Sequence, residues 1–119
     1  MAKYDSKAGV LVIGTSEFRG LYSGHGEGIN NPALSHVTDV GPIPIGTYAI
    51  GTFFDDPEKG PCVAHLTPQE GTDTFGRSGF MIHGDNKQLN HSASHGCIIA
   101  PRNVREALKA SGETSLEVA

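Results

Sequence analysis

The chain has 119 residues, of which 37% are hydrophobic and 18% charged, and its formal net charge is −4. These values are typical of a single globular domain over residues 1–119 and exclude a disordered chain. The acidic balance and the lack of a basic block give no electrostatic basis for binding nucleic acid. The 16 glycines and 7 prolines follow no period, which indicates many turns between short strands.

Near the N-terminus the longest apolar run is short, from Val10 to Ile13. A secretory signal needs an apolar region of about 7–15 residues, and a membrane-spanning helix needs about 20. We therefore expect a chain that is made in the cytoplasm, carries no signal peptide and does not insert into a membrane.

The first half of the chain predicts a hairpin, a long loop and a strand. The hairpin runs from Ala8 to about Ser23, with apolar segments on both sides of a polar turn. Residues 24–44 are rich in Gly, Asn and Pro and predict a long ordered loop, which in a compact domain usually has a function. Residues 45–54 predict the next strand, with a kink at Gly51.

Two further strands follow. Residues 61–67 alternate so that Cys62 and Leu66 share one face. Residues 79–83 predict a short buried strand that ends at His83.

The C-terminal part predicts the chain's one helix, over residues 101–110. Pro101 suits its first turn, and Val104 and Leu108 belong to its apolar stripe. Residues 115–118 predict a last strand. The fold class is therefore mainly β, a small sandwich or barrel with one short C-terminal helix.

Cys97 stands where a loop enters a regular element. It follows Ser94, His95 and Gly96 and precedes an apolar run. Backbone N–H groups at such an entry can face a developing oxyanion, and a nearby histidine can hold a thiol as thiolate. A lone cysteine is more often a small buried hydrophobe, and Cys62 fits that description better. Cys97 is the candidate nucleophile, and we expect no disulfide between the two.

His83 is the candidate base for this nucleophile. Thirteen residues separate it from Cys97, so the intervening loop could fold back and bring imidazole to sulfur. The carbonyl of Gly84 could orient the ring, because the base in a Cys–His pair needs a third group to fix its tautomer. The alternative is a loop histidine that makes a surface hydrogen bond.

The other histidines give little support for a metal site. His91 and His95 are four residues apart, a spacing that suits metal binding only on a helix, and the residues between them are poor helix formers. His25, His36 and His65 receive no catalytic role.

Several short motifs carry a resemblance to a known family. The sequence "IHG", followed after a short loop by "SHGCI", resembles the signature of L,D-transpeptidase catalytic domains, bacterial enzymes that act on peptidoglycan stem peptides through a cysteine. Five motifs narrow the resemblance to the L,D-transpeptidase-like effectors delivered by type VI secretion systems: "YSG" (22–24), "NNPA" (30–33), "GPIPIGTY" (41–48), "IHGDN" (82–86) and "SASHGCII" (92–99). The likeness covers nearly the whole chain.

The resemblance implies roles for the residues of the "SHGC" segment. Cys97 matches the nucleophile and His83 the general base. Ser94, His95 and Gly96 match the loop that shapes the nucleophile's surroundings, and the backbone amides of Gly96 and Cys97 would hold the oxyanion.

Other positions match motifs whose roles are less defined. Tyr22, Asn30 and Asp85 are candidates for substrate binding. The larger transpeptidase family usually has an arginine two residues after the cysteine, where this chain has Ile99. Whether Arg102 supplies that substrate contact stays open.

The resemblance implies an enzyme that cleaves the L-D bond of peptidoglycan tetrapeptide stems and releases the terminal D-alanine. Water as acceptor would make it an L,D-carboxypeptidase, and a D-amino acid would make it an L,D-transpeptidase. No cofactor is implied. The expected partners are the stem peptides, type VI delivery proteins and a periplasmic immunity protein, because the expected place of action is the periplasm of a target cell.

Three other functions stay open on the residues alone. They are a metal-dependent peptidoglycan peptidase, a noncatalytic cell-wall-binding module and an antitoxin-like or structural partner protein. Sensitivity to chelators would identify the first of these. Reaction with a thiol-alkylating agent would separate the cysteine enzyme from the other two.

Overall fold

The computed structural model describes residues 1–85 and 96–119, which form a curled sheet, a half-barrel, with one helix near the C-terminus. This confirms the predicted fold class. The described strands are β1 (Ala2–Asp5), β2 (Val10–Ile13), β3 (Ser16–Phe18), β4 (Tyr22–Ser23), β5 (Gly46–Ile50), β6 (Phe54–Asp56), β7 (Gly60–Pro68), β8 (Met81–His83), β9 (Ile98–Ile99) and β10 (Ser115–Val118). The helix α1 comprises Arg102–Ser111, and two 3-10 turns lie at Gly26–Gly28 and Pro32–Leu34.

The strand order across the sheet is β3-β2-β1-β10-β5-β7-β8-β9-β4, with β6 paired to β7. The pairs β1–β10 and β8–β9 are parallel. In the second of these, Ile82 lies opposite Ile98 and His83 lies opposite Ile99. Side chains alternate between the two faces along a strand. Cys97, directly before β9, therefore belongs to the same face as His83.

The helix packs its predicted apolar stripe against the sheet. Val104 and Leu108 are buried in the core, and Gly112 ends the helix in the left-handed conformation, with φ of 72°. Pro101 lies just before the helix instead of in its first turn. Arg105 is also buried on the core side. Within residues 1–85 and 96–119, no helix is long and apolar enough to cross a membrane.

The first hairpin is shorter than predicted. Strands β2 and β3 pair with Leu11 opposite Phe18, which confirms the hairpin itself. The extension to Ser23 is wrong, because the chain turns at Gly20, where φ is 85°. Tyr22 and Ser23 then form β4, which pairs with β9.

The middle strands largely follow the predictions. Gly51 ends a strand instead of kinking it, because β5 stops at Ile50. The predicted strand over 61–67 is β7, with Cys62 and Leu66 buried. The 3%-exposed His83 ends the buried strand β8, as predicted.

Candidate active site

A cavity of about 330 Å³ opens where β8 ends and β9 begins. Both members of the predicted catalytic pair, His83 and Cys97, line it. The other described lining residues are Thr38, Asp39, Lys59, Gly76, Arg77, Ser78, Gly79, Phe80, Met81 and Gly96. The cavity is therefore built by β8, the start of β9, the β6–β7 turn and the loops before β5 and β8.

The ring of His83 has one nitrogen engaged and one available. Nδ1 lies 2.8 Å from the carbonyl oxygen of Gly84. A carbonyl oxygen only accepts hydrogen bonds, so Nδ1 must carry the ring hydrogen and Nε2 must hold the lone pair. Nε2 is buried and has no hydrogen-bond partner among the described residues. This is the tautomer that a general base needs, and the Gly84 contact that fixes it is the one expected from the sequence.

Cys97 occupies the loop-to-strand position expected from the sequence. Its Sγ lies 3.8 Å from the carbonyl oxygen of Gly79. Neither Cys97 nor Cys62 is in a disulfide, which confirms that prediction. Burial, the largest effect, raises the pKa of the Cys97 thiol, against smaller opposing effects of the Met81 backbone N–H, Lys59 and Arg77.

Burial also lowers the pKa of His83, and Lys59 and Arg105 act in the same direction. The hydrogen bond to the Gly84 carbonyl raises this pKa by less than burial lowers it, and Asp85 raises it least. Both shifts favour the uncharged forms. At neutral pH these directions favour a neutral thiol and a neutral imidazole, and they do not support a thiolate held by histidine.

The register of the sheet places His83 and Cys97 near each other at one end of the β8–β9 pair. His83 pairs with Ile99, so Cys97 stands two residues before the partner of His83 on the same face. Because both side chains line one cavity, a substrate carbonyl there could contact both.

Arg77 is a buried cation beside the nucleophile that the sequence did not reveal. Its Nη1 donates to the carbonyl oxygens of Ser35 (2.6 Å) and Pro42 (2.9 Å), and its Nη2 donates to that of Gly41 (3.0 Å). A Cβ at Gly96 would overlap its guanidinium, and Gly96 has φ of 128°. Only glycine fits between Arg77 and the nucleophile.

Ser23 supports the same backbone from the other side. Its buried Oγ accepts the N–H of Ile43 at 2.8 Å and lies 3.4 Å from the carbonyl oxygen of Gly96. Ser23 and Arg77 thus connect the motif over 41–48 to the backbone at Gly96, directly before the nucleophile.

A second buried arginine, Arg105, lies next to Gly84, the residue that follows His83. Its Nη1 donates to the carbonyl oxygens of Pro61 (2.6 Å) and Cys62 (3.1 Å), and its Nε donates to that of Ala100 (3.0 Å). A Cβ at Gly84 would come within 2.8 Å of its guanidinium. The sequence held a signal for this residue, because Arg105 falls between Val104 and Leu108 on the buried face of α1.

The predicted substrate-binding residues separate into two groups. The Tyr22 hydroxyl donates to Asp85 Oδ1 at 2.7 Å, and both line a neighbouring cavity of about 320 Å³ together with Ile99 and Arg102. Asn30 lines neither of these two cavities. Its Oδ1 accepts the N–H of Ser23 at 3.1 Å, so its amide holds the loop after β4.

Part of the predicted site falls outside the described residues. Ser94 and His95, and with them His91, lie outside the described residues. Among the residues that are described, no group of three or more His, Cys, Asp or Glu side chains could hold a metal ion.

The neutral thiol predicts a distinctive pH dependence of alkylation. Only the thiolate reacts with iodoacetamide, and the pKa of Cys97 lies above that of an ordinary cysteine. We expect the alkylation rate at Cys97, followed by peptide mass spectrometry, to be low at pH 7 and to keep rising above pH ~8.5. A rate that levels off below pH 7 would show a stabilised thiolate instead.

The comparison with protein families gives one match. A family model described as the Tlde1 domain matches residues 18–117. The match includes both candidate catalytic residues and the supporting residues Ser23, Arg77 and Arg105. No curated protein matches the chain.

Proposed function

We propose that this chain, which belongs to the Tlde1 domain family of type VI secretion effectors, is a cysteine-dependent enzyme that acts on bacterial peptidoglycan. Its substrate is the tetrapeptide stem, and the bond it cleaves joins the L-centre of the third residue to the terminal D-alanine. Water as acceptor makes it an L,D-carboxypeptidase, and a D-amino acid makes it an L,D-transpeptidase.

In the proposed reaction the thiol of Cys97 attacks the carbonyl carbon of the third residue. Nε2 of His83 removes the thiol proton as the S–C bond forms, because the shifted pKa values keep both groups neutral until then. When the C–N bond breaks, the imidazolium returns the proton to the departing D-alanine amine. The resulting thioester is then opened by water or by the amine of a D-amino acid.

The observation that carries the proposal is the state of the His83 ring. A buried Nε2 with no hydrogen-bond partner among the described residues costs free energy, and it belongs to a side chain that lines the same cavity as a cysteine thiol. A histidine kept only for the fold would be expected to bond through both nitrogens. A buried Nε2 that has an available lone pair and faces the cavity is suited to accept a proton as a general base.

The backbone around the nucleophile is suited to bind the oxyanion. Gly96 and Cys97 would direct their N–H groups at the developing charge, and the Arg77 guanidinium beside Gly96 adds positive potential. Arg77 does not need to touch the substrate for this effect.

The proposed reaction is tested by incubating the protein with purified disaccharide-tetrapeptide and analysing the products by mass spectrometry. Loss of one alanine residue identifies the carboxypeptidase, and its replacement when a D-amino acid is added identifies the transpeptidase. An unchanged substrate, with folded protein and across neutral to mildly alkaline pH, would contradict the proposal. Chelators should not change the outcome.

The place of action gives a further expected result. Peptidoglycan lies outside the cytoplasmic membrane, so expression in the bacterial cytoplasm should be harmless, whereas fusion to a secretory signal should stop growth. Cells should swell or fail to divide as their tetrapeptides are consumed. Growth curves with Cys97→Ala as control test this. Harmless export of folded wild-type protein would contradict a toxic role.

Protection of the producing cell would require a periplasmic immunity protein, because a neighbour of the same strain receives the same effector. We propose that this partner covers the cavity around Cys97. Co-expression of such a protein should restore growth of cells that export the enzyme.

A further inference from the structure

We infer that Lys59 binds the terminal carboxylate of the stem peptide and thereby restricts the enzyme to the last residue of the stem. The inference rests on the proposed function and adds a determinant of specificity to it. Its basis is the placement of cations around the cavity.

The chemistry of the proposed substrate requires a positive charge close to the nucleophile. In a tetrapeptide the residue after the scissile bond is the last one, and it ends in a carboxylate. One residue spans at most about 3.5 Å, so this carboxylate must lie next to the carbonyl that Cys97 attacks. A carboxylate in a partly enclosed cavity is costly unless it is paired.

Two cations line the cavity among the described residues, Lys59 and Arg77. Arg77 is 7% exposed, and its guanidinium donates to three backbone carbonyl oxygens of the 35–42 loop. Because these hydrogen bonds hold its guanidinium against the backbone, we assign Arg77 a structural role. Lys59 is exposed, and its ammonium has no ion-pair partner within the part of the chain that the structure describes.

The backbone of Lys59 is held in place although its side chain is exposed. Asp56 Oδ2 accepts the N–H groups of Glu58 (2.9 Å) and Lys59 (2.7 Å), which closes the turn between β6 and β7. This turn presents Lys59 at the rim of the cavity. The charge of Lys59 acts on both reacting groups, because it adds to the lowering of the His83 pKa by burial and opposes the raising of the Cys97 pKa by burial.

The other charged residue on the cavity wall favours the same assignment. Asp39 lines the cavity. Burial lowers the pKa of Arg77, and the charge of Asp39 partly offsets this lowering. A peptide carboxylate would be repelled from the Asp39 side. Lys59 is therefore the cation that can bind the carboxylate of the residue directly after the scissile bond.

The test compares two substrates that differ only at the C-terminus, the disaccharide-tetrapeptide with a free carboxylate and the same molecule with a C-terminal carboxamide. Wild-type protein should prefer the acid by about tenfold in kcat/KM, the effect of one charge-assisted hydrogen bond. Lys59→Gln should lose this preference through a higher KM for the acid, with KM for the amide and kcat nearly unchanged. Lys59→Arg should retain most of it.

Lys7→Gln is the matched control. Lys7 is an exposed lysine in a turn closed in the same way, with its N–H donating to Asp5 Oδ1 at 3.0 Å, and it does not line the cavity. This variant makes the same change in net charge and should behave as wild type. If Lys7→Gln lost the preference for the acid as fully as Lys59→Gln, the preference would depend only on net charge, and the inference would be wrong.

Binding gives a readout independent of turnover. In the Cys97→Ala background, calorimetry should show tighter binding of the acid than of the amide, and Lys59→Gln should remove the difference. If wild type cleaves the acid and the amide equally well, or if Lys59→Gln keeps the full preference, the inference is wrong while the proposed function stands. If wild type acts on neither substrate and binds neither, the proposed function fails and the inference fails with it.

Discussion

Replacing Cys97 with alanine is expected to abolish turnover of the tetrapeptide stem while leaving the fold intact. In a covalent mechanism the nucleophile has no substitute, and loss of such a residue costs on the order of 10⁴-fold or more in kcat. The thiol lines the cavity, and its Sγ lies 3.8 Å from the carbonyl oxygen of Gly79. Release of D-alanine measures activity, and thermal unfolding followed by circular dichroism checks the fold.

Cys62 provides the matched control for this substitution. It is 5% exposed on β7 and does not line the cavity. Cys62→Ala should retain most of the activity and cost about 1 kcal/mol of the free energy of unfolding, a usual value for removing a small buried group. Equal loss of activity in the two variants, without unfolding, would contradict the assignment of the nucleophile.

Replacing His83 with asparagine is expected to lower kcat/KM by about 10²- to 10⁴-fold, the range for loss of a general base. Asparagine can still donate to the Gly84 carbonyl from its side-chain amide, as Nδ1 does at 2.8 Å, but it has no counterpart of Nε2. The variant therefore removes the base and keeps the contact that orients it.

The pH profile separates a catalytic from a structural role of His83. Burial lowers its pKa, so the neutral, active form persists below the ordinary histidine pKa of about 6.5. Wild-type kcat/KM should hold as pH falls through 6.5 and decline only at lower pH. In His83→Asn this acidic decline should be absent.

His65→Asn is the matched control. His65 lies on the exposed face of β7, where its ring stacks on that of Phe54 with 5.3 Å between the ring centroids. This variant should leave kcat/KM and its pH profile unchanged. An unaltered profile in His83→Asn would assign the base to another residue.

The sequence predicted the elements that carry a local signal. The hairpin of β2 and β3, strands β7, β8 and β10, the long loop and the apolar stripe of α1 all follow from periodicity and turn residues. The position of Cys97 at the entry to β9 and the contact between His83 and Gly84 were also expected. These features depend on neighbours that are close in sequence, where pattern and propensity are informative.

Two of the missed strands, β1 and β9, depend on partners that are distant in the sequence. In β1, Ala2 and Tyr4 are buried and alternate with exposed residues, but its parallel partner β10 lies at the other end of the chain. Strand β9 has two residues and owes its conformation to β4 and β8 on either side. No window of the sequence holds enough residues to reveal such a strand.

The supports of the site were missed for a related reason. A buried arginine is costly unless backbone carbonyls satisfy it. The partners of Arg77 come from the 35–42 loop, and those of Arg105 come mostly from β7. The burial of Arg105 could have been inferred from its position on α1, but composition gives no sign of the carbonyl partners of either arginine. Lys59 was missed because only the fold brings the β6–β7 turn to the cavity.

The most direct test of the account is to look for the covalent intermediate. Wild-type protein is mixed with disaccharide-tetrapeptide, quenched in acid within milliseconds to seconds, and analysed by intact-protein mass spectrometry and peptide mapping. We expect a thioester adduct whose mass equals that of the substrate less D-alanine, located on Cys97 and absent from Cys97→Ala. Release of D-alanine by protein whose Cys97 is fully alkylated, or an adduct on any other residue, would contradict the account.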